Sequence, residues 1–252
     1  MFYDDVITDH LSWLNDSGRN NFYKKIILEN CKDKVCVDVG SGTGILTDYA
    51  LDAGATKVYA IEIRKSRAKF LKEKYKSNSK VVVVEEDFLG CQIEDNIDYV
   101  FIEQIGCQFA NDFSIKRFMQ KIKLDYPNAR CIPDNYRLKA IVYDGMITEK
   151  PKVLVNNDNL PKNFYSHCQQ FKKYKETETL DLFDLNLDTC DEDITFDIDL
   201  TNYVDCTIFI DDVISFEKHI LNVENTYRDW EDKPLKLFLK NVKGKKTFTW
   251  QV

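Results

Sequence analysis

The run Asp38-Val39-Gly40-Ser41-Gly42-Thr43-Gly44 packs three glycines into five residues and sets an acid two positions before the first of them. Glycine lets a backbone approach a ligand with no Cβ in the way. A helix that opens straight after such a turn directs its free N–H groups and the positive end of its dipole at whatever lies there. Twenty residues beyond Gly42 comes Glu62, with Ile63 beside it. A carboxylate so placed accepts hydrogen bonds from both hydroxyls of a ribose. The dinucleotide fingerprint requires a third glycine three residues after the second, whereas the spacing here is Gly40, Gly42, Gly44. That spacing, with Asp38, favours S-adenosylmethionine as the ligand. Asp87-Phe88 offers a further acid and ring. The acid could accept from an adenine amino group and the ring could cover the base. Equally, the pair could be a helix N-cap and a core phenylalanine.

The elements around these residues follow from pattern. Val35 to Val39 is a short apolar run entering the turn, as a buried parallel strand looks. Ile45 to Gly54 reads as the helix after it, with Gly54 as its C-cap. Lys57 to Ile61 is a second strand, Ser66 to Lys76 a second helix, Val81 to Val84 a third strand and Tyr99 to Ile102 a fourth. Strands alternating with helices predict an α/β domain of the Rossmann-like, doubly wound parallel type. Before it, Leu11, Leu14, Phe22, Ile26 and Ile27 suggest one or two amphipathic helices broken near Gly18. After about Pro133 the texture changes. Runs such as Thr195-Phe196-Asp197-Ile198-Asp199-Leu200 alternate polar and apolar, the mark of antiparallel strands with one wet face. The expected organisation is N-terminal helices over residues 1–30, a ligand-binding domain over 31–133, and a smaller antiparallel, barrel-like β domain over 134–252.

Composition narrows the class. With 252 residues, 44% hydrophobic and 31% charged, the chain is an ordinary globular one. No apolar run approaches the roughly 20 residues needed to span a bilayer. The acidic start Met1-Phe2-Tyr3-Asp4-Asp5 is unlike an export signal, so a cytoplasmic protein is expected, with no membrane partner. Eight cysteines, at 31, 36, 91, 107, 131, 168, 190 and 206, form no Cys-x-x-Cys pair. They read as reduced core residues and not as metal ligands. The net charge of −7 does not steer toward nucleic acid and could attract a cation. From Glu176 to Glu217 there are fourteen acids and no lysine or arginine, which is either a field for a basic peptide or a set of wet strand faces.

The stretch from Val35 to Leu46, followed by Ala53-Gly54-Ala55-Thr56-Lys57-Val58-Tyr59-Ala60-Ile61-Glu62, resembles the first two motifs of the protein arginine methyltransferases. Ribosomal-protein methyltransferases carry similar turns. Three further matches are more specific. His10-x3-Leu14-x-Asp16-x2-Arg19-x3-Tyr23 resembles that family's N-terminal helix motif. The resemblance implies that His10 belongs to the cofactor site and that Arg19 grips the cofactor carboxylate, for which a guanidinium is suited. Ile102-Glu103-Gln104-Ile105-Gly106, with Asp112, resembles the acidic hairpin that holds the substrate guanidinium. Ile132-Pro133-Asp134 resembles the junction into the family's barrel. The likeness is strong over about residues 3–143 and continues more weakly beyond.

The resemblance implies S-adenosylmethionine as cofactor and a protein arginine as methyl acceptor. Glu103 is then the first carboxylate and Asp112 the second, with Asp229 and Trp230 where the family has a Thr-His-Trp loop. It also implies a homodimer formed through an arm at 145–176. The departures fall on the acceptor side. Asp112 is one methylene shorter than glutamate, Asp229 replaces a histidine, and the second domain, about 119 residues, is short. Two alternatives keep the same donor site: an acceptor that is a small molecule or another protein side chain, or a catalytically weak partner subunit.

Overall fold

The computed structural model of the protein describes residues 14, 16–103, 114–144, 176–192, 194–199, 206–223, 236–239 and 245–250. The expected sites His10, Asp112, Asp229 and Trp230, and the arm at 145–175, lie outside them. The chain divides into two compact units. The first comprises residues 1–104, 115–134 and 215–221, and the second 105–114, 135–214 and 222–252.

The first unit holds helix α1 (Ser17–Asn30), strand β1 (Val35–Val39), helix α2 (Ile45–Ala53), β2 (Lys57–Ile61), α3 (Lys65–Lys74), β3 (Val81–Val84), β4 (Tyr99–Ile102), α4 (Ser114–Asp125) and β5 (Arg130–Ile132). The five strands form one sheet in the order β3-β2-β1-β4-β5. All four pairings are parallel, with Val39 opposite both Ile61 and Ile102. A parallel sheet covered on both faces needs apolar residues throughout its strands. Cys36, Val37, Val58, Ala60, Val100, Phe101 and Ile102 are accordingly buried. The chain order reverses between β1 and β4, so the crevice at their carboxyl ends is the switch point where such sheets take ligands.

The break expected near Gly18 falls at Asp16: Leu14 is helical, Asp16 is not, and α1 opens at Ser17 with Gly18 in its first turn, where N–H groups have no intrahelical acceptor in any case. Asp16 caps that turn, its Oδ1 accepting from the Arg19 N–H at 3.0 Å. Helix α3 ends at Lys74, two residues short of the expected limit, because Tyr75 turns into the core as its C-cap. Helix α4 and strand β5 were not foreseen, although Ile115, Phe118, Met119 and Ile122 recur at helical spacing and are all buried. Among the described residues, no helix is long and apolar enough to cross a membrane.

The second unit is β-rich. β6 (Asn135–Asp144) and β7 (Glu176–Leu185) pair antiparallel, with Tyr136 opposite Leu185. With β9 (Cys206–Phe216) and β10 (His219–Val223), of which residues 215–221 are counted with the first unit, they make a sheet ordered β10-β9-β6-β7, and β11 (Lys236–Leu239) joins β9. β8 (Ile194–Asp199) pairs antiparallel with β12 (Lys245–Trp250). The alternating run from Thr195 is therefore an antiparallel strand.

Candidate active site

Three strand ends meet at the switch point and each delivers an acid. Asp38 comes from β1, Glu62 follows β2 and Glu103 follows β4. The glycine turn joins β1 to α2, and Gly40, Gly42 and Gly44 all have positive φ, at 71°, 55° and 79°. Other residue types resist that region. The Gly40 and Ser41 N–H groups both donate to the Ile61 carbonyl at 2.9 Å, which seats the turn on β2. The Ser41 hydroxyl donates back to the Asp38 carbonyl at 2.9 Å, so this serine is buried in the turn's own framework. Thr43 is buried beside it.

Glu62 is buried. Its Oε2 accepts from the Gly42 N–H at 3.0 Å and its Oε1 from the Arg64 N–H at 2.8 Å. An ionised carboxylate has about four acceptor positions. Each oxygen of Glu62 thus keeps capacity for one more donor, the demand of a ribose diol. Ile63, beside it, is 62% exposed, an unusual setting for a large apolar side chain.

Asp38 plays a different part. Its Oδ2 accepts from the Thr47 N–H at 3.1 Å and the Thr47 hydroxyl at 2.7 Å, fixing the first turn of α2. Burial pushes its carboxyl up to about 7; the Thr47 bonds oppose this, and the nearby Glu103 and Glu62 charges add to it. Thr47 was not among the expected site residues, and only its helical position after the turn could have signalled it.

Arg19 and Glu103 form a direct ion pair, Nη1 to Oε1. Both side chains are largely buried, at 11% and 20% exposure, and Asp16 Oδ2 lies 3.4 Å from Arg19 Nη2. Tyr23, fully buried one turn on from Arg19, donates to the Ile102 carbonyl at 2.8 Å and ties α1 to the residue before Glu103. Burial raises the Glu103 carboxyl above the usual range, and Arg19 pulls it partly back. A guanidinium therefore already occupies the carboxylate.

Asp87 and Phe88 follow β3. Asp87 is exposed and caps its own turn, accepting from the Leu89 N–H at 3.0 Å. Phe88 is buried, edge-on to Phe118 at 5.5 Å between ring centroids. Phe88 fits the core reading, while no helix follows Asp87, which holds a turn and not a helix N-terminus.

The family model for ribosomal RNA adenine dimethylase matches residues 15–123, which include four of the five strands of the parallel sheet. Histone-arginine methyltransferase CARMER of Drosophila persimilis is 25% identical over 199 residues, covering 74% of this chain and 37% of that protein. The probable CARMER of Drosophila melanogaster is 24% identical over the same span. The chain thus spans little more than a third of the length of the curated relatives it matches. Among solved structures, PRMT6 with SAH has a TM-score of 0.63 at 20% identity, covering 92% of this chain and 87% of that one. The Trypanosoma brucei PRMT1 enzyme–prozyme complex has a TM-score of 0.66 at 18% identity, covering 97% and 84%. The chain is thus similar in sequence to histone-arginine methyltransferases and in fold to PRMT6 and to the trypanosome PRMT1 complex.

Proposed function

We propose that the protein is an S-adenosylmethionine-dependent methyltransferase whose acceptor is the guanidinium of a protein arginine. The observation that carries the acceptor is the Arg19–Glu103 pair: this carboxylate holds a planar guanidinium in a largely buried setting. The donor rests on the glycine turn and on the spare acceptor positions of Glu62. In this reading Gly40, Ser41, Gly42, Thr43 and Gly44 cradle the cofactor, Glu62 takes the ribose and Ile63 lies against the adenine. Asp38 fixes α2 behind the turn, and Asp87 reaches toward the base from its exposed turn. Arg19 takes the cofactor carboxylate, with His10 beside it.

The bound cofactor would supply an electrophilic methyl group on a positively charged sulfur. Glu103 does the rest of the work that the described residues perform. It orients the guanidinium fork and draws positive charge away from the attacking nitrogen. Orientation of this kind removes roughly 7–11 kcal/mol of barrier in favourable cases. Asp112 is proposed as the second carboxylate, with Asp229 and Trp230 closing the acceptor side. Arginine-bearing cationic peptides are the proposed substrates and a homodimer the proposed working state. Among the described residues, Cys31, Cys36, Cys91, Cys131 and Cys190 are buried and form no disulfide, which fits a reducing, cytoplasmic setting.

The test is Glu103→Gln. Methyl transfer to an arginine-rich peptide should fall at least about 100-fold, as for loss of a charge that acts in the transition state, while cofactor affinity changes little. Undiminished transfer would remove Glu103 from the mechanism. A second reading is supported by the shortened acid Asp112 and by the fold shared with the trypanosome PRMT1 enzyme–prozyme complex. In it the chain is the weaker subunit of a mixed assembly. It predicts cofactor binding by the isolated chain with transfer only after an active relative is added.

A further inference from the structure

The glycine turn is held from behind by the end of α3. Tyr75 is buried, and its hydroxyl lies 2.9 Å from the Gly44 carbonyl oxygen and 2.7 Å from Asp48 Oδ1. Lys74 Nζ donates to the Thr43 carbonyl at 2.9 Å and to Asp48 Oδ2 at 2.6 Å. Asp48 stands in the first turn of α2, and its own N–H donates to the same Gly44 carbonyl at 2.9 Å. Two consecutive carbonyls of the turn are thereby tied to two consecutive residues 31 positions later. The Tyr75 ring is itself anchored on Ala60 and Leu71, with Leu51, Phe70, Val81 and Val83 packed around them. The fit is close: a Cβ on Gly44 would lie 2.4 Å from the Tyr75 hydroxyl and 3.0 Å from Leu71 Cδ2.

A trans peptide is planar, with its C=O and N–H opposed. Fixing the Gly44 carbonyl therefore fixes the direction of the Ile45 N–H, the first amide of α2. Fixing the Thr43 carbonyl does the same for the Gly44 N–H, which donates to Ser41 at 2.6 Å. Burial, and then the Asp48 carboxylate, hold the Tyr75 phenol above the usual tyrosine range. The hydroxyl thus keeps its single proton, which it shares between the Asp48 carboxylate and the Gly44 carbonyl.

We propose that Tyr75, assisted by Lys74, is a positioning residue for the cofactor turn, setting the orientation of the Thr43 and Gly44 peptides before the ligand arrives. This rests on the reading of the turn as the S-adenosylmethionine site. It also gives Gly44 a reason of its own: that position is kept free of a side chain by Tyr75 as well as by φ.

Calorimetry with S-adenosylhomocysteine on the full chain tests it. Binding by the unaltered protein tests the underlying reading, and no binding there removes the reading and the proposal together. Given binding, Tyr75→Phe should weaken the affinity about tenfold, the effect of one buried hydrogen bond of about 1.4 kcal/mol. Lys74→Met, at a side chain 29% exposed, should weaken it about threefold without threatening the fold. Tyr59→Phe is the control, because it deletes a comparable hydroxyl bond to Asp95 at 2.9 Å elsewhere on β2. It should leave affinity within about twofold, well under 1 kcal/mol. Gly44→Ala should bind more weakly than Tyr75→Phe. Adding Tyr75→Phe to Gly44→Ala should restore part of that loss by removing the nearest clash. Tyr75→Phe and Lys74→Met both at wild-type affinity, or a Tyr59→Phe loss equal to that of Tyr75→Phe, would overturn the proposal.

Discussion

Arg19 and Glu103 depend on each other more than on anything else near them. Removing one partner of a largely buried pair leaves an uncompensated charge, which costs about 3 kcal/mol. Arg19→Ala should therefore lower the urea midpoint markedly. Arg19→Ala combined with Glu103→Gln should recover part of the loss, because the orphaned carboxylate is then neutral. Simple additivity of the two variants in a denaturation cycle would show that the pair is not coupled. Glu62 was legible in the sequence from its strand end and its distance from the glycine turn, whereas Arg19 and Glu103 were legible only through the resemblance to the arginine methyltransferases. That Arg19 reaches Glu103 was not legible, since nothing in a spacing of 84 residues says which strand end faces α1. Tyr75 was invisible for the same reason. A tyrosine at the end of a lysine-rich helix shows no preference for the Gly44 carbonyl until the chain doubles back.

Helix α2 is bracketed by left-handed glycines and braced by Asp38. Gly54 has φ of 89°, and a Cβ there would meet nothing closer than Lys32 Cγ at 3.7 Å. Gly54→Ala should cost only the backbone strain, about 1 kcal/mol in a urea titration, with cofactor affinity unchanged. Asp38 gives the helix a pH dependence. Its carboxyl lies at about 7 in the folded state against an ordinary 3.8, so the native protein binds the extra proton between those values. Stability contributed by this group is highest below pH 3.8, declines as pH rises toward 7 and is flat above. Asp38→Asn should flatten that decline relative to wild type, while its carbonyl can still accept from Thr47. Identical slopes for the two proteins in denaturation at several pH values would remove Asp38 as the titrating group. The element pattern was legible because apolar runs and glycine punctuation set β1, α2 and β2 almost to the residue. The limit that moved, at Tyr75, depends on a core contact that periodicity does not encode.

Charge is distributed unevenly over the whole molecule. Residues 176–217 carry fourteen acids and no lysine or arginine, so the rest of the chain holds 28 acids against 35 bases. If that segment draws cationic peptides to the enzyme, KM for an arginine-rich peptide should rise several-fold between about 50 and 200 mM salt, as screening shortens to under about 10 Å. The KM of S-adenosylmethionine should barely move, and parallel changes in both would point to a general salt effect on the fold. The most direct test of the account is transfer of a labelled methyl group from S-adenosylmethionine to an arginine-rich peptide, run with wild type and Glu103→Gln side by side. The account predicts label on arginine side-chain nitrogen for wild type and at least about 100-fold less for the variant, with S-adenosylhomocysteine binding retained by both. Equal labelling by the two proteins, or cofactor binding without arginine labelling even beside an active relative, would contradict it.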